Sequence, residues 1–144
     1  MLMISELSPV EVTVEVASHV SELMTVLASA PRTISEDDLR LVAETNHLFV
    51  GTDNGRVVGL VCLVVMRLPQ GVRLWIESVI VSPSHRRTGL GRRLMEAALA
   101  KAALYGDVPI SLTSNPTRGV AHHLFERLGF SRAETSVFRR SAHM

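Results

Sequence analysis

The fold of this chain is decided by residues 79–94, which read VIVSPSHRRTGLGRRL. The segment that leads into this stretch, 74–81, is almost continuously apolar and rich in β-branched side chains, which is typical of a buried strand. Pro83 ends the strand because a proline has no N–H to donate to a sheet ladder. Apolar residues after Gly89 then recur at helical spacing along one face. The stretch therefore predicts a strand, a turn that contains glycine, and a helix.

The turn between this strand and this helix, residues 86–92, has the composition of an anion-binding site. The first N–H groups of a helix have no partner inside it, and the helix dipole favours a negative charge there. Gly89 and Gly91 let an anion come close to the backbone, and Arg86 and Arg87 carry forked donors that suit phosphate. The pattern is neither a Walker loop nor a complete dinucleotide fingerprint, since no Gly-Lys-Ser/Thr and no third glycine follows. The turn therefore predicts a phosphate-binding site, and the alternative is a surface turn with solvated arginines.

The rest of the chain shows patterns typical of strands and helices. Strands are predicted at 10–16, 47–52, 57–67, 73–81, 108–113 and 131–140. Helices are predicted to begin at Ser18, Ser35, Gly89 and Asn115. Asn54-Gly55 is a strong hairpin signal, so the strands on either side of it should form an antiparallel meander with the next strand. The strand at 108–113 follows a strand and a helix, and a right-handed crossover would place it parallel to 74–81.

The composition predicts one domain with a mostly aliphatic core. The chain has 144 residues, of which 47% are hydrophobic and only 4% aromatic. Its single cysteine, Cys62, lies in an apolar run, so it is predicted to be a small buried hydrophobe in a reducing, cytoplasmic compartment. The first residues lack a basic segment followed by an apolar one, and no apolar run reaches the length of a span, so neither a signal peptide nor a membrane partner is expected.

Charge is distributed unevenly along the chain, although the formal net charge is only +1. Residues 1–50 contain eight acidic and two basic residues, a net charge of −6, and the remainder contains 13 basic and 6 acidic residues, a net charge of +7. The basic part contains the predicted phosphate site. The acidic part predicts a site for a cationic amine, and the alternative is that both parts are ordinary solvated faces.

Two motifs give the chain a family resemblance. The run Arg86-Arg87-Thr88-Gly89-Leu90-Gly91 resembles the acyl-CoA signature of the GNAT N-acetyltransferases, Arg/Gln-x-x-Gly-x-Gly/Ala. Asn115, Ala121 and the run Leu124-Phe125-Glu126-Arg127-Leu128-Gly129-Phe130 are similar to a second signature of that family, which has tyrosine where this chain has phenylalanine. The resemblance implies a single GNAT-type domain over residues 1–144. Its class would be α/β (α+β), a mixed central sheet of about six strands, splayed between the fourth and fifth, with about four helices.

The resemblance also implies a reaction. A family member of this kind transfers an acetyl group from acetyl-CoA, its co-substrate, to a primary amine of a small molecule or peptide by direct attack in a ternary complex. The backbone N–H of Val79 would stabilise the oxyanion. The residues implied to bind the co-substrate are Val79, Ile80, Val81, Arg86, Arg87, Thr88, Gly89, Leu90, Gly91, Arg92, Asn115 and Phe125. No metal is expected, and a homodimer is compatible with the resemblance.

Proton transfer has several candidates. Glu77 is the candidate general base, because alternation along the strand would put it on the same face as Val79 and apolar surroundings make a carboxylate a better base. The alternative for Glu77 is a structural role with backbone or arginine partners. His122 and His123 are adjacent on a helix, so at most one would face the site, and a surface or packing role is their alternative. Tyr105 is predicted to pack against or cap its helix.

Phe125 leaves the general acid unassigned, because phenylalanine cannot donate a proton. The leaving thiolate would then be protonated by water or by Ser111, Thr113 or His122. A non-catalytic acyl-CoA sensor is therefore an alternative to the enzyme. A nucleic-acid binder could also use the arginines of the turn, but few aromatic residues and an acidic N-terminal third argue against that class, so no nucleic-acid partner is expected.

Overall fold

A computed structural model describes residues 1–114 and 119–142 of the chain, and five strands and four α-helices are present over these residues. The strands are β1 (Leu2–Glu6), β2 (His47–Asp53), β3 (Arg56–Leu68), β4 (Gly71–Val81) and β5 (Ile110–Leu112). The helices are α1 (Val14–Ala28), α2 (Glu36–Thr45), α3 (Leu90–Ala102) and α4 (Gly119–Arg127). Two compact units divide at Thr113/Ser114: the first contains the sheet and α1–α3, and the second contains α4. A single domain over residues 1–144 stays a prediction.

The sheet has the order β1-β2-β3-β4-β5, with four antiparallel strands and a parallel fifth. The predicted meander is confirmed, and so is the crossover, since β5 runs parallel to β4 from Leu74 opposite Ile110 to Ile76 opposite Leu112. Asn54 and Gly55 have φ angles of 49° and 83°. Both are positive, as the two central residues of a type I′ hairpin turn require. The mixed α/β architecture is therefore as predicted, with five strands instead of six.

The strand predicted at 10–16 is wrong. Those residues form a 3₁₀ turn (Pro9–Glu11) and the first turn of α1, where the Thr13 hydroxyl accepts a hydrogen bond from the Val16 N–H at 3.1 Å. The predicted cap at Ser18 is therefore also wrong. Val10 and Val14 are largely exposed, so the alternating valines do not correspond to a buried sheet face. The edge of β2 is paired instead with β1, a strand that the sequence patterns missed.

The strand predicted at 131–140 is also wrong, because no strand occurs in the described residues beyond β5. Every side chain from 131 to 140 is exposed. A strand is stabilised by a paired neighbour and at least one buried face, and weak alternation alone supplies neither.

Two glycines facing each other let α3 lie close to the sheet. Gly51 of β2 is directly opposite Gly59 of β3, and a Cβ on either would come within about 3 Å of the Leu90 side chain. Leu90 and Leu94 are fully buried here. The opposite sheet face packs against α1 and α2 in a core that includes Val20, Leu39 and Leu60, among others. The first residue of α3 is thus anchored on the sheet, which sets the position of the turn before it.

No helix in the described ranges is long and apolar enough to cross a membrane.

Candidate functional site

The first N–H groups of α3 are free to donate hydrogen bonds to a group from outside the helix. Gly89 occupies the N-cap position and has no side chain to cap the helix, whereas Thr13 and Ser35 cap α1 and α2 with their hydroxyl oxygens. The first bond of α3 is donated by the Arg93 N–H to the Gly89 carbonyl, at 3.1 Å. The N–H groups of residues 90–92 consequently have no acceptor within the helix. These groups and the helix dipole suit an anion.

The backbone before α3 forms a concave turn with space in front of it. Arg87 and Gly89 both have left-handed φ angles, 64° and 79°. A Cβ added to Gly89 would meet no atom within 4 Å. Arg86 and Arg87 are exposed, and Arg92 donates to Glu96 at 3.2 Å. The turn thus offers free N–H groups, room and guanidinium groups together, which fits the diphosphate of a coenzyme A.

A chain of hydrogen bonds ties this turn to the β2–β3 hairpin. His85 lies 2.9 Å from Asp53 through its Nε2 and 2.9 Å from the Ser84 hydroxyl through its Nδ1. Ser82 and Ser84 are 3.1 Å apart through their hydroxyls. An ionised carboxylate only accepts, so Nε2 of His85 carries the shared proton. This hydrogen bond and, after it, the bond from the chain's first amino group hold the pKa of the Asp53 carboxyl below its ordinary value. His85 therefore positions the arginine that follows it.

A β-bulge interrupts β4 immediately before this turn. Leu60 pairs with Ile80, but Cys62 pairs with Glu77, so Val61 alone lies opposite residues 78–79. Ser78 has a left-handed φ of 57°. A bulge removes local backbone groups from the regular ladder and turns them in new directions. The N–H of Val79, the predicted oxyanion donor, belongs to this irregular segment.

The bulge corrects the prediction that Glu77 and Val79 share a sheet face. Cys62 and Leu60 both belong to the core that faces α1 and α2, and their cross-strand partners are Glu77 and Ile80. Simple alternation of faces holds only in an uninterrupted strand, and the bulge adds one residue to β4. Glu77 therefore lies on the same sheet face as Ile80 and not on that of Val79. Whether Glu77 serves as the base stays a prediction.

Cys62 has the character predicted for it. It is buried, and burial together with the negative charge of Glu77 raises the pKa of its thiol to about 11. The group is therefore a neutral thiol at physiological pH and a poor nucleophile.

The end of β4 has an unpaired side next to β5. Pairing between the two strands stops at Ile76 and Leu112. The last residues of β4, 77–81, therefore have a strand neighbour on the β3 side alone among the described residues. An extended amide-containing chain can add to such an edge. The predicted contacts of Val79, Ile80 and Val81 with the co-substrate require an edge of this kind.

A cavity of about 250 Å³ lies beside the bulge, between the sheet and the helices α1 and α2. Ser78 and Cys62 form part of its wall on the sheet side, and Arg32 and Thr33 form part of its rim. The remaining lining residues are Val20, Met24, Ile34, Leu39, Val42, Leu48 and Leu60. The cavity thus adjoins the predicted oxyanion donor.

The second compact unit contains four of the residues singled out in the sequence: Asn115, His122, His123 and Phe125. The rings of Phe125 and Phe130 meet edge to face at 6.3 Å, and the Phe130 N–H donates to the Phe125 carbonyl at 3.0 Å. His122 lies 3.1 Å from the Ser114 hydroxyl through its Nε2. Asn115 lies outside the described residues. The binding role of Phe125 stays a prediction.

Tyr105 does not stand alone at the end of its helix. Its hydroxyl is hydrogen-bonded to His47, and His47 is bonded in turn to Glu6 at 2.8 Å. Glu6 also pairs with Lys101 at 2.8 Å. This network ties the C-terminal end of α3 to β1 and β2, which accords with the structural role predicted for Tyr105.

Sequence reasoning missed four residues that hold the site in place. His85 and Asp53 fix the turn, and Gly51 and Gly59 admit the helix. The hairpin containing Asp53 and the histidine before Arg86 were both visible, but only the sheet register brings them together. No local signal distinguishes Gly51 from an ordinary strand glycine.

Comparisons with known proteins identify the family. A family model described as the acetyltransferase (GNAT) family matches residues 17–130. A mycothiol acetyltransferase of Clavibacter sepedonicus is 30% identical over 126 residues, which cover 81% of this chain and 40% of that protein. The chain spans less than half the length of the curated relatives it matches.

Solved structures agree with the family model. The crystal structure of a Trypanosoma brucei acetyltransferase matches with a TM-score of 0.77 and 26% identity, covering 98% of this chain and 99% of that one. An aminoglycoside acetyltransferase from an uncultured soil metagenomic sample has the same fold, with a TM-score of 0.81, 14% identity and coverage of 98% and 95%. The resemblance predicted from the two motifs is confirmed, and the chain belongs to the acetyltransferase (GNAT) family.

Proposed function

We propose that this chain transfers an acetyl group from acetyl-CoA to a primary amine of a small molecule or peptide, by direct attack in a ternary complex. The observation that carries the proposal is the uncapped N-terminus of α3, which follows a left-handed turn flanked by exposed arginines. Membership of the family supports the same reaction. Residues 1–144 would act as one catalytic domain.

Binding of the co-substrate would rest mainly on the backbone. The N–H groups of residues 90–92, together with Thr88 and Gly89, would surround the diphosphate, and Arg86, Arg87 and Arg92 would add charge. The unpaired edge of β4 at 79–81 would bond the amides of the pantetheine arm. Asn115 and Phe125 are assigned to the same co-substrate by the family resemblance alone.

The transfer step forms a bond between the amine nitrogen and the thioester carbon and breaks the bond between that carbon and sulfur. The N–H of Val79 would stabilise the negative charge that develops on the carbonyl oxygen. The ammonium must first lose a proton, and Glu77 would accept it directly or through water. The attacking nitrogen then loses a second proton to become the amide, and coenzyme A, which leaves as a thiolate, takes up one proton; water or a nearby hydroxyl would pass the proton between them.

The alternative is a non-catalytic acyl-CoA sensor, and Phe125 is the residue that favours it. Its ring packs against Phe130 and has no hydroxyl to protonate a thiolate. Release of free thiol from acetyl-CoA in the presence of a panel of primary amines separates the two functions. Binding of coenzyme A without any release would favour the sensor.

Calorimetric titration with coenzyme A tests the binding site itself. Gly91→Val should weaken binding at least tenfold, because a branched side chain would crowd the turn. Arg86→Ala should weaken binding in a way that diminishes at high salt, since the lost interaction is electrostatic. Arg73→Ala is the matched control, because Arg73 is an exposed arginine on β4 outside the turn. Unchanged affinity in Gly91→Val would refute the assignment.

A cytoplasmic location and a homodimeric state belong to this proposal as well. The first is supported by the single, buried cysteine, and the second is compatible with the family resemblance. Size-exclusion chromatography with light scattering tests the second.

A further inference from the structure

The cavity beside the bulge lies where it could receive the amine acceptor of the proposed reaction. This assignment of the cavity rests on the proposed function. Ser78 lines the cavity and precedes Val79, whose N–H is assigned to the thioester oxygen. Glu77 pairs with Cys62, which also lines the cavity. A group in the cavity would therefore leave its amine near both the thioester and the candidate base.

The lining and size of the cavity select an apolar group. Val20 and Met24 contribute from α1, Leu39 and Val42 from α2, and Leu60 from the sheet. The Cys62 thiol is neutral, so it adds no charge. An apolar cavity of about 150 Å³ holds a benzene ring, and this one is about 250 Å³. Roughly six to ten carbon atoms would fill it.

Arg32 gives the cavity rim a positive charge. The Thr25 hydroxyl accepts from the Arg32 N–H at 3.0 Å and donates to its carbonyl at 3.1 Å, and Ser21 accepts from the Ile34 N–H at 3.0 Å. The segment between α1 and α2 is thus held against α1. The Arg32 guanidinium has no hydrogen-bond or ion-pair partner in the described ranges. A second cationic group on the amine acceptor would be repelled by the positive charge of Arg32.

The acidic N-terminal third does not counter Arg32 at the cavity. Three of its carboxylates pair with other arginines: Glu22 pairs with Arg56, and Glu36 and Asp37 pair with Arg40. None of the described residues that line the cavity is acidic. The expectation of an acceptor site lined by this acidic part therefore has no support in the cavity lining.

We propose that the acceptor is a monoamine whose single apolar group, of roughly six to ten carbon atoms, occupies this cavity. Its amine is its only positive charge, because Arg32 disfavours a second one. Polyamines and aminoglycosides are thereby poor acceptors for this chain.

A matched pair of amines tests the charge selection. Hexylamine and 1,6-diaminohexane differ only by the second amine, so with acetyl-CoA the kcat/KM of hexylamine should exceed that of the diamine at least tenfold. Arg32→Gln should reduce this ratio several-fold, and Arg73→Gln, an exposed substitution away from the cavity, should leave it unchanged. A diamine that reacts as well as hexylamine in the unmodified protein overturns the inference.

A second test fills the cavity. Val42→Phe should raise the KM for hexylamine at least tenfold while leaving the KM for ethylamine and the Kd for coenzyme A unchanged. Leu41→Phe is the control, since the neighbouring Leu41 is 55% exposed and does not line the cavity. Equal effects of Val42→Phe on both amines would overturn the inference. If Val42→Phe does not fold, the comparison of hexylamine with 1,6-diaminohexane still tests the inference on the unmodified protein.

The outcomes separate the acceptor from the reaction. Turnover that favours spermidine or kanamycin over hexylamine leaves the acetyltransferase standing and overturns this inference. Binding of coenzyme A with no turnover of any amine overturns the proposed function and this inference with it. Hexylamine should also slow the reaction of Cys62, the chain's single cysteine, with a small thiol reagent. An unchanged rate would count against occupation of the cavity.

Discussion

Gly51→Ala tests how the sheet positions the first turn of α3. The new Cβ would lie 2.6 Å from Cδ1 of Leu90 and 3.4 Å from its Cδ2 and Cγ, whereas carbon atoms normally pack at about 3.5–4.0 Å. Leu90 is only 1% exposed, so its side chain has no open side to move into. Overpacking of this kind costs about 1–3 kcal/mol. Alanine regains about 0.5–1 kcal/mol over glycine in a strand, which leaves a net loss in the free energy of unfolding of about 0–2.5 kcal/mol.

The clash can be isolated with a second substitution. Leu90→Ala should itself cost about 2–5 kcal/mol, but it removes the atoms that Gly51→Ala would meet. In that background Gly51→Ala should be neutral or stabilising, by up to about 1 kcal/mol. Urea unfolding of the four proteins measures this coupling. The reasoning is refuted if Gly51→Ala costs the same in both backgrounds within about 0.5 kcal/mol.

A control and a functional consequence accompany this test. Gly55→Ala places a Cβ in open space at a φ of 83°, so its cost comes from backbone strain and should not depend on Leu90. Gly51→Ala should also weaken coenzyme A binding, because Leu90 begins the helix whose N-terminus is assigned to the diphosphate. Gly55→Ala should leave that affinity unchanged.

Three further predictions concern proton equilibria. Phe125→Tyr should raise kcat by up to about 10²-fold with little change in coenzyme A affinity, because it adds the hydroxyl of a general acid. If a folded variant binds coenzyme A but shows no gain in kcat, another residue already serves as the acid or proton transfer does not limit the rate. Burial raises the pKa of Glu6, but hydrogen bonds to Lys101 and His47 outweigh it and hold that pKa below 4.5, so ionised Glu6 stabilises the fold above that pH. This stability is lost as pH falls through the folded-state pKa. The free energy of unfolding in urea should therefore fall more steeply with decreasing pH in the unmodified protein than in Glu6→Gln. The same pH dependence in both proteins would contradict the assignment. Cys62 should react with a thiol reagent at pH 8 roughly 100-fold more slowly in the native protein than in urea, because burial raises its pKa from 9.0 to about 11 and leaves little thiolate. An equal rate in both states would contradict its burial.

Much of the middle of the fold, residues 47–102, could be predicted from local signals. Apolar runs with β-branched residues place β2, β3 and β4, and Asn54-Gly55 closes the hairpin between the first two. The helix α3 follows from its amphipathic spacing and from Gly89 at its start. These signals succeed because each depends on backbone preference or on periodicity within one element.

The first and last predicted strands are wrong because the periodicity of one segment does not show whether another segment occupies its place in the sheet. Valines at alternate positions from Val10 to Val16 also fit the start of a helix once Thr13 caps it. The edge position beside β2 could be occupied by one segment only, and β1 (Leu2–Glu6) occupies it with five paired residues. The exposed segment 131–140 has no buried face on which alternation could act.

The sequence by itself identified the family and the turn with its glycines and arginines, because a glycine pattern between a strand and a helix dictates local backbone geometry; phosphate binding at this turn stays a prediction. Only the tertiary structure decided the rest of the site. The bulge at Ser78 put Glu77 in phase with Ile80 instead of Val79, because one extra residue reverses the faces of a strand. Likewise, the cavity and the bond from His85 to Asp53 depend on residues far apart in the chain, which pack together only after the sheet register is set.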